Sequence, residues 1–462
     1  MLSRFTIGNF RSFDKNQVLS LNAGIIQNHK ERLFQKSNIK LLKFASIFGA
    51  NAAGKSNFIR GMNYAQNAII KGTDNRFFEE RKNDYFRLNP NNKETPSFFE
   101  FEICLNDTIY VYGLEILMFT KKITKEWLHK QDKAKGIIIF SRNTDTGSSY
   151  FNEDYLNDDT FTRMSYYLED FNYVTNKAFL SDIVSNKNEL YKNNNKLEIL
   201  KEVYNWIYNL DISYPDTIIT GYDCFSERNI DDLIDALRIF KIGISKVNKT
   251  QISKEQALDK VSPDIRKKIE DSIQKACPPD CNKDISNCES CGFRMSINGR
   301  LIFVTFNNRD PVFTEITFEH NNVKDVSFSL AEESDGTQRL LDLLSILFTK
   351  KENSVFVIDE IDRSLHPQLT WKFIDNFLKY AEKKNIQLLI TSHETHILNL
   401  ELLRQDEIFF AETTPTGNSV IYSFEKFKER FDKKIEKAYL EGRYGAVPLF
   451  DSLYYPSPED LE

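Results

Sequence analysis

Two segments of this chain, about 300 residues apart, carry residue types suited to nucleotide phosphates. The first, residues 49–56, reads GANAAGKS and fits the pattern G-x-x-x-x-G-K-[ST]. Backbone N–H groups of such a loop wrap the phosphates, and its serine hydroxyl ligates Mg²⁺. We therefore expect Lys55 to stabilise the phosphates and Ser56 to hold the metal. The nucleotide-binding residues predicted in this segment and directly after it are Asn51, Gly54, Lys55, Ser56 and Asn57.

The second segment is an apolar strand, residues 355–358, that ends in Asp359 and Glu360. Asp359 is placed to hold Mg²⁺, and Glu360 is the candidate general base that activates the attacking water. Many strands end in acids, so this pattern alone is weak. Together with the glycine loop it predicts Mg²⁺-dependent hydrolysis of ATP to ADP and phosphate.

Two further elements lie in positions that suit a γ-phosphate. Ser334, Gly336 and Gln338 precede a predicted helix, and serine, glycine and helix N-terminal amides can bind an anion. In isolation this motif would be a helix cap, but its position between the two nucleotide motifs favours a phosphate role. His393 follows the predicted strand 386–391, where its side chain could reach the γ-phosphate or its water.

The elements around these motifs predict an α/β fold. Residues 44–48 form a short apolar strand that leads into the glycine loop, and a helix follows from Gly54. Segments 97–104 and 109–117 alternate as paired strands around Asn106-Asp107. We predict an N-terminal lobe, a mainly helical insertion and a C-terminal lobe that completes the sheet of the first. Their predicted limits are 1–155, 156–292 and 293–462.

The insertion contains a cysteine cluster with spacings of three, six and two residues. The four cysteines are Cys277, Cys281, Cys288 and Cys291. A structural Zn²⁺ held by four thiolates is the leading interpretation, because four cysteine ligands leave no open position for catalysis. An iron–sulfur cluster and unmetallated or disulfide-bonded cysteines stay open as alternatives.

The charge composition of the chain bears on whether nucleic acid is a binding partner. The net charge is −6 and the pI is near 5.8, so no global basic footprint for nucleic acid exists. A local lysine cluster is typical of either a solvated face or a nucleic-acid contact. It consists of Lys121, Lys122, Lys125, Lys130, Lys133 and Lys135.

No apolar run approaches the length of a membrane span and the N-terminus lacks a signal-peptide core, so we expect a cytoplasmic protein with no membrane partner.

The ordered set of glycine loop, Ser334 motif, Asp359-Glu360 and His393 resembles the ABC-type ATPase heads of repair and chromosome-maintenance ATPases and of the OLD family. The resemblance implies that Ser334, Gly336 and Gln338 form a signature loop, which contacts ATP on the glycine loop of a second subunit. ATP would then be sandwiched in a homodimer or higher homo-oligomer. The segment 9–13 is similar to the family's opening strand, in which Arg11 would point toward the nucleotide.

The resemblance is closer to AAA15 ATPases of bacterial anti-phage and abortive-infection loci, the RloA/AbiL-like group. The segments that carry it are 333–340, 359–367, 404–408 and 441–448. It implies an ATPase that acts as sensor or motor of a defence system. Only 17 residues follow Gly445, so we expect no TOPRIM domain and a separate effector from a neighbouring gene, such as a TOPRIM-type nuclease.

Three other functions fit part of the pattern. The main alternative is a repair ATPase that clamps DNA ends, which the acidic balance disfavours. A scaffold that binds ATP without hydrolysing it conflicts with the presence of Glu360 and His393. A transporter ATPase subunit would leave the large insertion unexplained.

Overall fold

The protein has a mixed α/β fold. The computed structural model describes residues 1–132, 135–156, 158–186, 195–215, 225, 229–276, 288–307, 310–321, 323, 326–348, 352–427 and 435–447. The described strands are, in chain order, β1 (Leu2–Gly8), β2 (Gln17–Ser20), β3 (Phe34–Lys36), β4 (Ile39–Leu41), β5 (Phe44–Phe48), β6 (Ser97–Leu105), β7 (Thr108–Leu117), β8 (Lys122–Asp132), β9 (Lys135–Asn143), β10 (Ser148–Phe151), β11 (Asp211–Ser213), β12 (Ile244–Ile252), β13 (Cys288–Ile297), β14 (Arg300–Asn307), β15 (Asp310–His320), β16 (Val355–Ile358), β17 (Gln387–Thr391), β18 (Ile408–Thr413) and β19 (Ser419–Ser423).

The described α-helices vary from one turn to nearly five. They are α1 (Lys55–Lys71), α2 (Arg76–Glu79), α3 (Asp158–Phe171), α4 (Phe179–Asn186), α5 (Glu198–Tyr208), α6 (Ile230–Ile239), α7 (Lys254–Ala257), α8 (Pro263–Ala276), α9 (Asp335–Leu347), α10 (Pro367–Lys383) and α11 (Ile435–Leu440). None of the helices described here is both long enough and apolar enough to span a membrane.

The chain divides into two compact units. The first comprises residues 1–215, 352–361 and 378–462, and the second comprises 216–351 and 362–377. The helices α3 to α5 therefore belong to the first unit, together with the glycine loop and the strand before Asp359. The limits of the N-terminal lobe, the insertion and the C-terminal lobe, at 1–155, 156–292 and 293–462, stay a prediction.

In the first unit, a six-stranded sheet has the order β11-β16-β17-β5-β18-β19. Its strands are parallel except for the edge pair β18–β19. All residues of β5, β16 and β17 are buried, as expected for parallel strands covered on both faces. Because parallel strands end at the same edge, the glycine loop, Asp359 and Thr391 come together there.

A seven-stranded antiparallel sheet of the first unit has the order β10-β9-β8-β7-β6-β1-β2. The predicted hairpin is confirmed: β6 and β7 pair in register and are joined by Asn106 and Asp107, whose φ values are 46° and 62°. Positive φ at both central residues is the geometry of a type I′ turn. Gln387 of β17 links this sheet to the six-stranded one, because its side chain bonds the Leu2 N–H at 2.6 Å and the Leu2 carbonyl at 2.9 Å.

The segment 404–408 has a structural role in the first unit. Arg404 is buried and forms an ion pair with Asp406 at 2.7 Å, while its backbone N–H donates to the Glu407 carboxylate at 2.9 Å. Asp406 also accepts the Gly24 N–H at 2.8 Å. Burial raises the pKa of Glu407 to about 8. These contacts fasten the loop around Gly24 at the start of β18.

The segment around Tyr444 closes the other side of β18. Tyr444 is buried and stacks on Phe410, with ring centroids 6.0 Å apart, and Tyr439 stacks on the same ring at 5.3 Å. The Tyr422 hydroxyl donates to the Tyr444 carbonyl at 2.7 Å. An aromatic cluster therefore holds residues 439–446 against the sheet.

The second unit contains a four-stranded antiparallel sheet of order β12-β15-β14-β13, with a small apolar core that includes Ile302, Val304 and Phe313. Cys277 and Cys281 lie outside the described residues, as do the side chains of Cys288 and Cys291. Within the described part of the chain, no group of three or more histidine, cysteine or acidic side chains could hold a metal ion. The zinc knuckle stays a prediction.

Candidate functional site around the glycine loop

The loop between β5 and α1 requires glycine at both of its ends. A Cβ on Gly49 would lie 2.3 Å from the Ala411 carbonyl oxygen, and one on Gly54 would lie 2.4 Å from the Ser419 hydroxyl. Gly54 also has φ +103°, a conformation that favours glycine. Strands β18 and β19 therefore press directly on the loop and fix its path.

Lys55, the first residue of α1, folds back over this loop. Its Nζ donates to the Gly49 carbonyl at 2.6 Å and to the Ala50 carbonyl at 3.0 Å. The residue is only 8% exposed, so the ammonium group is fixed inside the loop and not on the surface. An ammonium has three donors and can bind several oxygens at once. Asn51, in contrast, is exposed at the tip of the loop.

Ser56 and Asp359, which are 303 residues apart in sequence, touch each other. The Ser56 hydroxyl donates to Asp359 Oδ1 at 3.0 Å. Thr391, at the end of β17, donates to the same oxygen at 2.5 Å. Asp359 is 2% exposed and Thr391 is fully buried. A carboxylate beside two hydroxyl oxygens provides the hard oxygen ligands that Mg²⁺ prefers.

Thr391 also holds Glu360. The Glu360 backbone N–H donates to the Thr391 hydroxyl at 2.8 Å, and the Ile361 N–H donates to the Thr391 carbonyl at 3.2 Å. Glu360 has φ 48°, an uncommon conformation for a residue with a side chain. Such conformations persist only where the surrounding structure fixes them. Thr391 therefore orients both acids at the end of β16.

The sequence prediction did not include Thr391. A threonine at the end of an apolar strand is common, and its importance depends on β17 lying between β5 and β16. That strand order is not encoded in any local pattern. The available signal was the position of Thr391 two residues before His393, at the end of the predicted strand 386–391.

Arg11 lies beside the start of α1. Its guanidinium binds Asp84 through Nε at 2.9 Å and through Nη2 at 2.7 Å, and Nη1 lies 3.5 Å from Asn57 Oδ1. The Asn57 amide in turn donates to the Ser12 hydroxyl at 3.0 Å. Arg11 and Asn57 thus belong to one polar network next to the glycine loop. His393 lies just beyond β17 and is exposed.

The predicted signature residues lie together in the second unit. Ser334 caps α9 by accepting the Thr337 N–H at 3.2 Å, and the Gln338 amide donates to the Glu333 carbonyl at 2.9 Å. A Cβ on Gly336 would lie 3.0 Å from the Ser364 carbonyl oxygen. Ser334 is exposed at this helix N-terminus. The prediction that all three residues precede the helix is wrong for Gly336 and Gln338, because the Ser334 cap starts α9 at Asp335. Ser334 itself precedes the helix and is accessible.

The lysine cluster is partly neutralised where it is described. Lys121 pairs with Glu79 and Lys125 pairs with Glu115, each at 2.9 Å. Lys133 lies outside the described residues, as does the side chain of Lys135. These ion pairs favour the interpretation of a solvated face.

Comparison with known families decides the class of the protein. A family model described as "AAA domain, putative AbiEii toxin, Type IV TA system" matches residues 44–399. The match covers more than three quarters of the chain and runs from the start of β5 past His393. The chain belongs to this AAA domain family. It is therefore an ATPase-type protein, and its ligand class is a nucleotide.

Heads of SMC proteins are among the solved structures that the chain matches. The SMC head bound to the C-winged helix domain of ScpA has a TM-score of 0.39 at 14% identity, and covers 92% of this chain and 99% of that chain. The SMC head domain from Thermotoga maritima has a TM-score of 0.34 at 12% identity, and the match covers 91% of this chain and 98% of that chain. A Pyrococcus furiosus SMC head with an extended coiled coil has a TM-score of 0.36 at 14% identity, and the match covers 92% of this chain and 97% of that chain. No curated protein matches the chain.

Thr391→Val should lower ATP turnover by about ten- to a hundredfold, since it removes a hydrogen bond to a charged group and the acceptor for Glu360 while keeping the side-chain shape. Thr391→Ser keeps the hydroxyl and should retain most of the activity. Steady-state hydrolysis by the two variants measures the difference. Equal turnover in both would contradict the orienting role of Thr391.

Proposed function

We propose that this AAA domain protein hydrolyses ATP to ADP and phosphate with Mg²⁺. The observation that carries the proposal is the contact between Ser56 of the glycine loop and Asp359 at 3.0 Å, with Glu360 adjacent. This contact joins two distant motifs into one polar cluster at the ends of the parallel strands β5 and β16, which lie on either side of β17. Phosphoryl transfer needs mainly positioning and electrostatic stabilisation, which such a cluster supplies.

Each residue then has a distinct role. Lys55 would bind the phosphates. Its ammonium group now donates to the carbonyls of Gly49 and Ala50, and phosphate oxygens would replace these acceptors when nucleotide binds. Ser56 and Asp359 would hold Mg²⁺, which neutralises charge on the phosphates. Glu360 would orient and deprotonate the attacking water.

Further groups would complete the nucleotide site. His393 would contact the γ-phosphate from the end of β17. Arg11 and Asn57, together with the loop residues Asn51 and Gly54, would bind the nucleotide around it.

A second copy of the chain would supply the signature loop. Ser334 is exposed and caps the N-terminus of α9. An anion is favoured at such a terminus. We therefore propose an ATP-sandwiched homodimer or higher homo-oligomer, in which Ser334, Gly336 and Gln338 of one subunit contact ATP on the other.

In the cell, we propose a cytoplasmic ATPase that acts as sensor or motor of an anti-phage defence system. The family's description refers to a putative AbiEii toxin of a Type IV TA system, and a toxin that belongs to a system has at least one other component. This supports a separate protein partner. A TOPRIM-type nuclease encoded by a neighbouring gene is the proposed effector.

The first test of this function compares ATP hydrolysis and nucleotide binding by the wild-type protein and Lys55→Ala. We expect Lys55→Ala to lose binding because it removes the cation from the loop. Lys71→Ala is the matched control, since Lys71 is an exposed lysine at the other end of the same helix. A separate experiment tests for the effector. The protein is expressed from its native locus and purified in the presence of ATP, and mass spectrometry identifies the proteins that co-purify with it. Absence of magnesium-dependent turnover in the wild-type protein would overturn the proposal.

A second candidate function is DNA binding by a repair-type ATPase. The observation in its favour is an open groove of about 990 Å³ in the first unit, bordered by Arg4, Lys40 and Lys130. Glu102 and Asp107 also border it and reduce its positive charge. DNA-stimulated turnover that falls steeply with salt would support this function, because phosphate contacts release counterions.

We also propose a structural Zn²⁺ bound by Cys277, Cys281, Cys288 and Cys291. The support is the donor set, because four thiolates close to each other in sequence suit a tetrahedral ion. Elemental analysis of the purified protein should find about one zinc per chain. Replacing Cys288 and Cys291 with serine should remove it, whereas Cys104→Ser should not, since Cys104 is a buried thiol in another sheet.

A further inference from the structure

A histidine–glutamate contact lies directly before the signature loop. His320 ends β15, and its Nε2 lies 2.6 Å from Oε1 of Glu333, the residue preceding Ser334. The Glu333 side chain is 5% exposed and the His320 side chain 29%. In the tautomer with a proton on Nε2, the imidazole donates this hydrogen bond to the carboxylate.

The imidazole ring is held in place by its surroundings. It packs edge-on against Phe328, with ring centroids 5.3 Å apart and an interplanar angle of 87°. Phe328 pairs its backbone with Phe318 of β15 through hydrogen bonds of 2.9 Å and 2.8 Å. His320 therefore projects from a rigid part of the four-stranded sheet.

Glu333 links that sheet to the signature loop. Its carbonyl accepts the Gln338 amide at 2.9 Å, and its N–H donates to the Leu330 carbonyl at 3.2 Å. Among the described residues, His320 is the hydrogen-bond partner of its carboxylate. A buried carboxylate without a donor is costly, so the position of Glu333 depends on the imidazole.

We propose that His320 is a positioning residue for the signature loop. It fixes Glu333, which in turn fixes Gln338 and places Ser334 at the N-terminus of α9. Without the Nε2 donor, Glu333 turns toward water, and Ser334 and Gln338 lose their defined positions. This proposal rests on the proposed function for the consequence in catalysis, because the loop would act on ATP bound to a second subunit.

The test uses two amides that differ only in reach. His320→Gln places an amide nitrogen near the position of Nε2 and should preserve the contact. His320→Asn places it near Nδ1 and cannot reach Glu333. His129→Asn is the control, since His129 is a half-buried histidine on β8 of the first unit.

Two readouts separate this role from a general structural one. In His320→Asn, backbone amides of residues 334–340 should exchange with solvent about tenfold faster, as expected for loss of a hydrogen bond to a charged group. The kcat for ATP should fall by about tenfold as well, while nucleotide affinity changes less than about twofold. His320→Gln and His129→Asn should match the wild-type protein in both readouts.

The two proposals fail in different ways. Unchanged exchange of residues 334–340 in a folded His320→Asn protein would overturn the positioning role, whatever the turnover. Faster exchange in His320→Asn together with wild-type kcat would overturn its consequence in catalysis. Lack of ATP hydrolysis by the wild-type protein overturns the proposed function, and the exchange measurement still decides whether His320 positions the loop.

Discussion

Glu360→Gln should lower ATP turnover by about 10²- to 10⁴-fold, the range expected when a general base is removed. ATP binding should persist, because the substitution keeps the size of the side chain and leaves Lys55, Ser56 and Asp359 in place. The backbone of Glu360 should also stay fixed, since its N–H bonds the Thr391 hydroxyl at 2.8 Å through the main chain. The expected result is a protein that binds ATP and hydrolyses it very slowly.

Such a protein should accumulate as an ATP-bound dimer, if the signature loop of one subunit closes on the nucleotide of the other. Light scattering coupled to size-exclusion chromatography with ATP measures the mass of the species. Adding Lys55→Ala to the Glu360→Gln protein should remove the dimer by preventing binding. Glu401→Gln, which changes an exposed acid, serves as the matched control. Wild-type turnover in Glu360→Gln would contradict the role of that carboxylate.

Short-range features of this chain were predictable from its sequence. The apolar strands at 44–48 and 355–358 appear where the patterns indicate them, and α1 begins directly after Gly54. The turn at Asn106-Asp107 follows from the tolerance of asparagine and aspartate for positive φ. These features depend on neighbours in sequence, so a single chain contains the information.

Features that depend on strand order were not predictable in the same way. Thr391 touches Asp359 because β17 lies next to β16. Arg11 meets Asp84 because the N-terminal loop folds back beside α1. Leu200, Val203 and Ile207 recur at helical spacing and predict a helix within 197–210, but this pattern does not show which core the helix joins. In the structure, Leu200 of α5 packs into the same core cluster as Phe101 of β6.

Arg142→Met has the largest expected effect on stability. It should lower the free energy of unfolding by about 3–5 kcal/mol. Arg142 and Glu126 are fully buried and form an ion pair at 2.8 Å. Removing the arginine leaves a buried carboxylate without its counter-charge. Urea unfolding followed by tryptophan fluorescence measures the change. Lys125→Met is the matched control on the neighbouring strand β8, and its loss should stay below about 1 kcal/mol because its pair with Glu115 is accessible to solvent.

The double substitution Glu126→Leu with Arg142→Met distinguishes this site from an isolated buried ion pair. Replacing both partners of an isolated pair with apolar residues is often neutral or stabilising. Here Glu126 also accepts the N–H groups of Phe179 and Leu180 at 2.7 Å and 3.0 Å, at the start of α4. These buried donors would lose their acceptor.

Arg142 has similar additional partners. Its guanidinium donates to the carbonyls of Val174 at 2.7 Å and Lys177 at 2.6 Å. Unsatisfied buried backbone groups cost about 1–3 kcal/mol each, so we expect the double variant to remain at least about 2 kcal/mol less stable than the wild type. Wild-type stability of the double variant would contradict this, and would mean that the backbone around α4 finds other partners. A large remaining loss would instead identify the pair as the anchor of the chain segment that leads into α4.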